Sequence, residues 1–228
     1  MTVTAEKAAF VTGANRGIGF EVCRHLRDRG WRVWLGARDL AKGEAAAARL
    51  GEGVCAVAFD VADPDAAARA AHRVGRVDAL VNNAGVHYDA GQRVTSADWR
   101  IVREAMETNC FGAWRSIQAF APAMRRAGWG RIVNVSSESG SLAGMGADTP
   151  AYATSKAALN ALTRLAAAEL ARSGVLVNAV CPGWIATDMG GSGGGPVADG
   201  AASVCWAVEL PDDGPTGGFF RHGRPLPW

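Results

Sequence analysis

The chain holds no paired cysteine motif. Its five cysteines, Cys23, Cys55, Cys110, Cys181 and Cys205, are scattered and odd in number. No CxxC occurs, and no His/Cys cluster has metal-ligand spacing, so neither a disulfide framework nor a metal site is expected. Cysteines isolated in apolar company behave as small buried hydrophobes. Blocks of like charge are also missing. The formal net charge is +2 over 228 residues, too small to argue for nucleic acid or an anionic membrane as a partner. Arg24, Arg27 and Arg29 alternate with Asp28 and read as a solvated helix face. No apolar run approaches the roughly 18 residues of a membrane span. The first residues, MTVTAEKAAFVTG, lack the apolar core of a signal peptide. A reducing cytoplasm is the expected setting. Aromatic residues make up 7%, and the tryptophans are dispersed; Trp31, Trp34, Trp99 and Trp114 read as packing residues.

What is present is alternation. Short apolar runs read as strands over Lys7–Thr12, Trp31–Leu35, Val54–Phe59, Val77–Val81, Arg131–Val135 and Val175–Val180. Helical patterns lie between them, over Gly17–Arg29, Leu40–Leu50 and Pro64–Val74. Asp63 is the expected cap of the last of these, and Pro64 suits its first turn. A further helical stretch starts at Ser96 or Asp98 and runs, with a break, to about Ala127. Ala151–Arg172 and Val197–Val208 follow, and Gly217–Phe220 reads as an edge strand. Such alternation demands a parallel sheet covered on both faces, with right-handed crossovers. The expected fold class is α/β: one doubly wound, Rossmann-type domain over residues 1–228, with about seven strands. Ligands of such sheets bind beyond the carboxyl ends of the strands.

The motifs fall at those ends. After the first strand comes Thr12-Gly13-Ala14-Asn15-Arg16-Gly17-Ile18-Gly19. Its spacing is GxxxGxG, and its place between strand and helix points to a pyrophosphate. The second strand ends in Gly36-Ala37-Arg38-Asp39. An acid here would hold a ribose 2′-hydroxyl, whereas an arginine suits a 2′-phosphate. Arg38 comes first, and Arg16 can join it as a second phosphate clamp, since the guanidinium fork meets phosphate oxygens bidentately. NADP is therefore expected over NAD, with Asp39 as the countersignal. Asp60 ends the third strand, where it can accept from an adenine amino group or serve a local turn. Asn82-Asn83-Ala84-Gly85 ends the fourth; its small residues admit a ribose and its amides can tie neighbouring strands.

Tyr152-Ala153-Thr154-Ser155-Lys156 carries the chemistry. Residues at i and i+4 share a helix face. A nearby cation favours the phenolate and lowers a pKa that is ordinarily about 10. Such a pair can exchange a proton with an alcohol or a carbonyl oxygen, although an isolated YxxxK is common on helices. Strand five runs into Ser136 and Ser137, of which only one should face the cleft, in reach of a substrate oxygen. Asn109 is a polar residue in an apolar helical run and must find partners.

Together these pieces resemble the short-chain dehydrogenase/reductase family over nearly the whole chain. The matching residues are TGANRGIG (Thr12–Gly19), Asp60, NNAG (Asn82–Gly85), Asn109, VNVSS (Val133–Ser137), YATSK (Tyr152–Lys156) and CPGWIATDM (Cys181–Met189). The likeness is greatest to the carbonyl reductase branch, through GARD after strand two, PGWIATDM, and the closing GPTGGFF and PW. It implies Tyr152 as proton donor or base, and Lys156 holding the cofactor ribose and lowering the tyrosine pKa. Ser137 matches the family's catalytic serine, and Asn109 would anchor a water linking Lys156 to solvent. Cofactor contacts are implied for Gly13, Asn15, Arg16, Gly17, Ile18, Gly19, Arg38, Asp60, Val61, Asn83, Ala84, Gly85 and Val135. Pro182 and Gly183 would line the nicotinamide, with Ile185 and Thr187 fixing its carboxamide. Hydride from the nicotinamide and a proton from Tyr152 leave no need for a metal.

The expected reaction is reduction of a ketone or aldehyde by NADPH; NAD-dependent alcohol oxidation uses the same residues. A binding protein without chemistry would be expected to have lost the tyrosine, lysine or serine, and a sugar epimerase to carry a larger C-terminal domain. Two departures from the family stand out. Residues 189–200 form a short, glycine-rich lid segment, a flexible composition with little side-chain material. An open substrate cleft follows, lined by Ser137, Trp184, Met145, Met189 and Tyr88. A long insertion before the tyrosine is also missing, since only fourteen residues separate Ser137 from Tyr152. That insertion goes with monomers, so a homodimer or homotetramer is expected alongside a monomer.

Overall fold

Alternation within the first strand sets the two faces of the molecule. In β1 (Ala8–Val11), Ala9 and Val11 enter one buried cluster and Phe10 enters another on the opposite side of the sheet. Period-two burial on both faces is what a central parallel strand requires. The computed structural model describes residues 6–86 and 88–228. Its order continues α1 (Gly17–Asp28), β2 (Arg32–Ala37), α2 (Leu40–Leu50), β3 (Val54–Ala58), α3 (Ala66–Val74) and β4 (Ala79–Asn82). Then come α4 (Trp99–Met106), one π turn (Glu107–Phe111), α5 (Gly112–Ala127), β5 (Gly130–Val135) and α6 (Pro150–Glu169). The chain closes with β6 (Val175–Val180), α7 (Val197–Val208), β7 (Phe219–Arg221) and β8 (Arg224–Pro225).

The sheet order is β3-β2-β1-β4-β5-β6-β7-β8. All pairs are parallel except β7 with β8. The chain leaves β1 in one direction for β2 and β3, then returns past it to β4, so the order reverses between β1 and β4. There a crevice must open at the strand ends. Side chains of α1, α2 and α7 fill one face, around Val22, Leu26, Leu50 and Val204. Those of α3, α5 and α6 fill the other, around Ala70, Ile117, Phe120 and Leu159.

Four sequence expectations need correction. Right-handed crossovers were expected throughout, yet β1–α1–β2 and β6–α7–β7 step in opposite directions while α1 and α7 share a face. The two connections are therefore of opposite hand, and with the earlier ones right-handed the last is left-handed. Its gain is coverage: α7 buries the face of β5 and β6 that α1 leaves bare. Second, an eighth strand folds back antiparallel, so Phe219–Arg221 does not form the sheet edge. Third, α3 begins at Ala66 rather than Pro64. Asp63 holds the preceding turn, its side chain accepting from the Asp65 N–H at 2.9 Å and its carbonyl from Ala66 at 3.2 Å. Fourth, Trp31 is buried and Trp34 half-buried, but Trp99 and Trp114 are exposed. Among the cysteines only Cys55 is exposed, and all five are free thiols. No helix among the described residues is long and apolar enough to cross a membrane.

Candidate active site

The turn after β1 is locked onto the turn after β4. Thr12 Oγ1 accepts from the backbone N–H of Asn83 at 3.0 Å and of Ala84 at 2.9 Å. In return Asn83 Nδ2 donates to the carbonyls of Thr12 at 2.9 Å and Gly13 at 3.1 Å. This contact needs a glycine: Gly13 has φ +62°, and a Cβ there would lie 2.9 Å from Ala84 Cα. Next door, Asn82 Nδ2 donates to Asn134 Oδ1 at 2.8 Å, tying β4 to β5. With the two turns clamped, α1 starts at the crevice. Its first turn has no side-chain cap, so its N–H groups are left for an anion.

The crevice is a cleft of about 1360 Å³ running along the strand ends. Of the expected cofactor residues, Gly19 alone is outside its wall. A Cβ on Gly19 would lie 2.5 Å from Asn83 Nδ2 and 2.9 Å from Ala14 Cα, so this glycine serves packing beneath the loop. Arg38 and Arg16 both line the cleft. Arg16 reaches across its mouth to an ion pair with Asp188, and both side chains are largely exposed. Asp39 is turned away: it caps α2, accepting from the Lys42 N–H at 3.2 Å, with Lys42 Nζ at 3.5 Å. Asp60 lines the cleft while its Oδ1 also accepts from the Ala62 N–H at 3.0 Å.

At the other end, α6 brings Tyr152 and Lys156 into the wall beside Ser137. The Ser137 side chain stands near enough to the Tyr152 hydroxyl to favour its ionised form. Ser136 is used otherwise, donating from Oγ to Asn160 Oδ1 at 2.6 Å. Lys156 Nζ donates to the Val135 carbonyl at 2.8 Å and lies 5.5 Å from the centre of the Tyr152 ring. Burial is the dominant influence on both groups. It pushes the phenol up to about 12, with Ser137 opposing. Burial likewise pushes Lys156 down to about 8. The two groups share a site, and desolvation of each is the largest cause of its shift.

Asn109 sits in the π turn between α4 and α5, where one extra residue widens the helix. Such bulges are frequent at functional sites. Its side chain is buried and clamps two elements. Oδ1 accepts from the Val86 N–H at 2.8 Å; Nδ2 donates to the Val86 carbonyl at 3.1 Å and to Ser155 Oγ at 2.9 Å. It does not line the cleft. A Cβ on Gly85 would touch both Asn109 Oδ1, at 3.5 Å, and Lys156 Nζ, at 3.7 Å, so the two are near neighbours.

The glycine-rich segment is not loose coil. Gly195 donates to the Trp184 carbonyl at 2.8 Å, Ala186 to Gly195 at 2.9 Å, and Gly191 to Thr187 at 2.8 Å. Trp184 Nε1 donates to the Gly190 carbonyl at 2.8 Å. A Cβ on Gly194 would lie 2.4 Å from the Ile185 carbonyl carbon, and one on Gly190 2.2 Å from its oxygen. The glycines are there because backbone lies flat on backbone. As a result Trp184 is exposed but anchored; with Met189 and Tyr88 it lines the cleft. Met145 is exposed and is not part of this wall.

Several wall residues escaped the sequence reading. Arg221 on β7 pairs with Glu138 and lies 3.3 Å from Cys181 Sγ, and all three line the cleft. Position after a strand end pointed to Cys181 and Glu138; nothing local pointed to Arg221. Asp89, from the loop after β4, accepts from the backbone N–H of Ala151 and of Tyr152, each at 3.0 Å. No sequence signal links residues so far apart. Among the described residues no group of three or more His, Cys, Asp or Glu could hold a metal.

Comparison with known proteins agrees with this geometry. A family model described as short chain dehydrogenase matches residues 7–194. Galactitol 2-dehydrogenase (L-tagatose-forming) of Cereibacter sphaeroides is 41% identical over 187 residues, covering 79% of this chain and 72% of its own. Salutaridine reductase of Papaver somniferum is 30% identical over 298 aligned positions, covering 96% and 95%. That alignment is longer than this chain, so the relative carries inserted segments that are missing here. An NADPH-bound carbonyl reductase from chicken fatty liver superposes with a TM-score of 0.87 at 28% identity, covering 98% and 99%. The names of these relatives point to chemically diverse compounds, while the fold is shared with the carbonyl reductase. The chain is a member of the short-chain dehydrogenase family of oxidoreductases.

Proposed function

We propose that the protein reduces a ketone or aldehyde carbonyl with NADPH. The observation that carries this is geometric: Tyr152, Lys156 and Ser137 line one cleft together with Arg38 and Arg16. A phenol is protonated at neutral pH, the state that a proton donor to a carbonyl oxygen needs. The same residues serve alcohol oxidation in reverse.

The residues present fit a nicotinamide dinucleotide. The first turn of α1 is uncapped, the Gly13 turn admits no side chain, and the cleft runs from Arg38 to Tyr152. Gly13 to Ile18 would hold the pyrophosphate, with Asp60, Val61 and Asn83 to Gly85 along the adenosine. Val135, Pro182, Gly183, Ile185 and Thr187 would surround the nicotinamide, and Lys156 its ribose. When bound, the reduced nicotinamide supplies hydride. Ser137 holds the substrate oxygen beside the Tyr152 hydroxyl, and Tyr152 gives that oxygen its proton. Asn109 and Lys156 return a proton to Tyr152 through water. NADPH is favoured over NADH because Arg38 and Arg16 face the cleft while Asp39 is spent on capping α2.

The mouth bounded by Trp184, Met189 and Tyr88 suits bulky carbonyl compounds. Five free thiols suit a reducing compartment such as the cytoplasm. The test is oxidation of NADPH and NADH against a panel of aldehydes, diketones and aryl ketones, with Tyr152→Phe alongside. NADPH-preferring turnover that collapses in the variant is expected. Cofactor binding without turnover on any compound overturns the proposal. Faster turnover with NADH overturns the Arg16/Arg38 argument.

A further inference from the structure

The start of α6 is held from outside its own sequence. Its N-terminal flanking residue, Thr149, has φ +52°, in the left-handed region, and makes no side-chain cap. The first bond within the helix runs from the Ala153 N–H to the Thr149 carbonyl at 2.8 Å. The N–H groups of Ala151 and Tyr152 therefore need acceptors from elsewhere. Asp89 supplies both, one through each carboxylate oxygen, at 3.0 Å. It is nearly buried, at 8% exposure, and its negative charge faces the positive end of a 20-residue helix.

The loop that carries Asp89 is itself fixed. Asn83 is bonded to the Gly13 turn, and Val86 is clamped by Asn109. The Tyr88 ring packs edge-on against Tyr152, 5.3 Å between centres. Farther along, Arg93 pairs with Asp148 at 2.6 Å, tying the same loop to the segment before α6. One stretch of chain thus touches the nucleotide end, the tyrosine ring and the tyrosine's own backbone N–H.

We infer that Asp89 is a positioning residue for the reaction: by capping α6 at Tyr152 it sets where the phenol sits against Ser137. This rests on the carbonyl-reductase reading, in which Tyr152 donates the proton. Misplacing a reacting group by about 1 Å can cost on the order of a hundredfold in rate. Asp89→Ala should lower kcat by roughly ten- to a hundredfold, with the dissociation constant for NADPH changed by less than about threefold. Asp89→Asn keeps one acceptor oxygen and should recover part of the loss.

The experiment measures kcat, KM and NADPH affinity for wild type and both variants. Amide hydrogen exchange is followed over Ala151–Lys156. Faster exchange at Ala151 and Tyr152, with kcat lost and affinity kept, supports the inference. Should Asp89→Ala not fold, the same split read in Asp89→Asn decides. Unchanged kcat despite faster exchange overturns it, because the cap is then structural only. Equal loss of kcat and cofactor affinity overturns it as well. A wild-type protein that binds NADPH but reduces nothing on the panel fails the functional reading itself, an outcome distinct from an active wild type with an equally active Asp89→Ala.

Discussion

The two ends of the cleft are built by different means. At the nucleotide end, two neighbouring turns interlock: the Gly13 backbone lies against Ala84, and Thr12 Oγ1 and Asn83 Nδ2 each bond the other turn's backbone. At the reaction end, side chains from distant elements hold the site: Asp89 caps α6, Asn109 bridges Val86 and Ser155, and Asn160 takes Ser136. The first arrangement demands glycine at fixed places and tolerates little else. The second demands hydrogen-bonding partners that any of several residue types could provide. The nucleotide end should therefore fail by losing affinity and fold together, and the reaction end by losing rate alone.

The largest effect should come from Tyr152→Phe. Loss of the proton donor is expected to cut kcat by about a thousandfold, within the range of general acid catalysis, while NADPH titration gives a nearly unchanged affinity. Gly13→Val should do the opposite. A side chain at φ +62° and 2.9 Å from Ala84 Cα should cost about 2–3 kcal/mol, seen as a lower urea midpoint and weaker cofactor binding in one variant. A valine variant with wild-type stability and affinity would break the contrast.

Lys156 makes a pH prediction. Its folded pKa is about 8 against an ordinary 10.5. Between those values the unfolded chain binds more protons, so this group adds stability as pH rises through that window. The difference in unfolding free energy between wild type and Lys156→Met should therefore climb from pH 8 to 10, with a slope of up to about 1.4 kcal/mol per pH unit. The buried Cys23 and Cys205 thiols, raised by burial, cancel in that difference. A flat difference would mean that Lys156 is solvated.

Arg38→Ala should weaken NADPH about tenfold, near 1.4 kcal/mol, and leave NADH within about twofold; equal loss for both cofactors would restore Asp39 as the ribose ligand. The smallest contrast lies at the mouth. Trp184→Ala should raise KM for a bulky aryl ketone several-fold, whereas Met145→Ala, outside the wall, should leave it unchanged. Grafting a longer lid onto residues 189–200 should lower activity on the same ketone.

Most of the fold was legible because its signals are local. The limits of α2 coincide with the expected ones, and the break before Ala127 is the π turn at Asn109. The glycine loop and the Tyr/Lys spacing follow from geometry over a few residues, whereas Ser136 and Ser137 both line the cleft and are told apart by the bond from Ser136 to Asn160. The backbone contacts of the glycine-rich segment were not legible, because flexibility and close packing call for the same residue. Nor was the place of Met145 outside this wall, because one loop position can point in any direction.

Sequence alone determined the strand–helix alternation, the phosphate turn and the Tyr152/Lys156 pair, since each depends on spacing within one element. Tertiary structure decided the rest. It put α7 on the face of α1, making the final crossover left-handed. It buried Tyr152 and Lys156, so that desolvation is the leading influence on both. And it brought Asp89 to the head of α6, across a separation in sequence that no local pattern records. Burial and long-range hydrogen bonds belong to pairs of elements, so they exist only once the chain has packed.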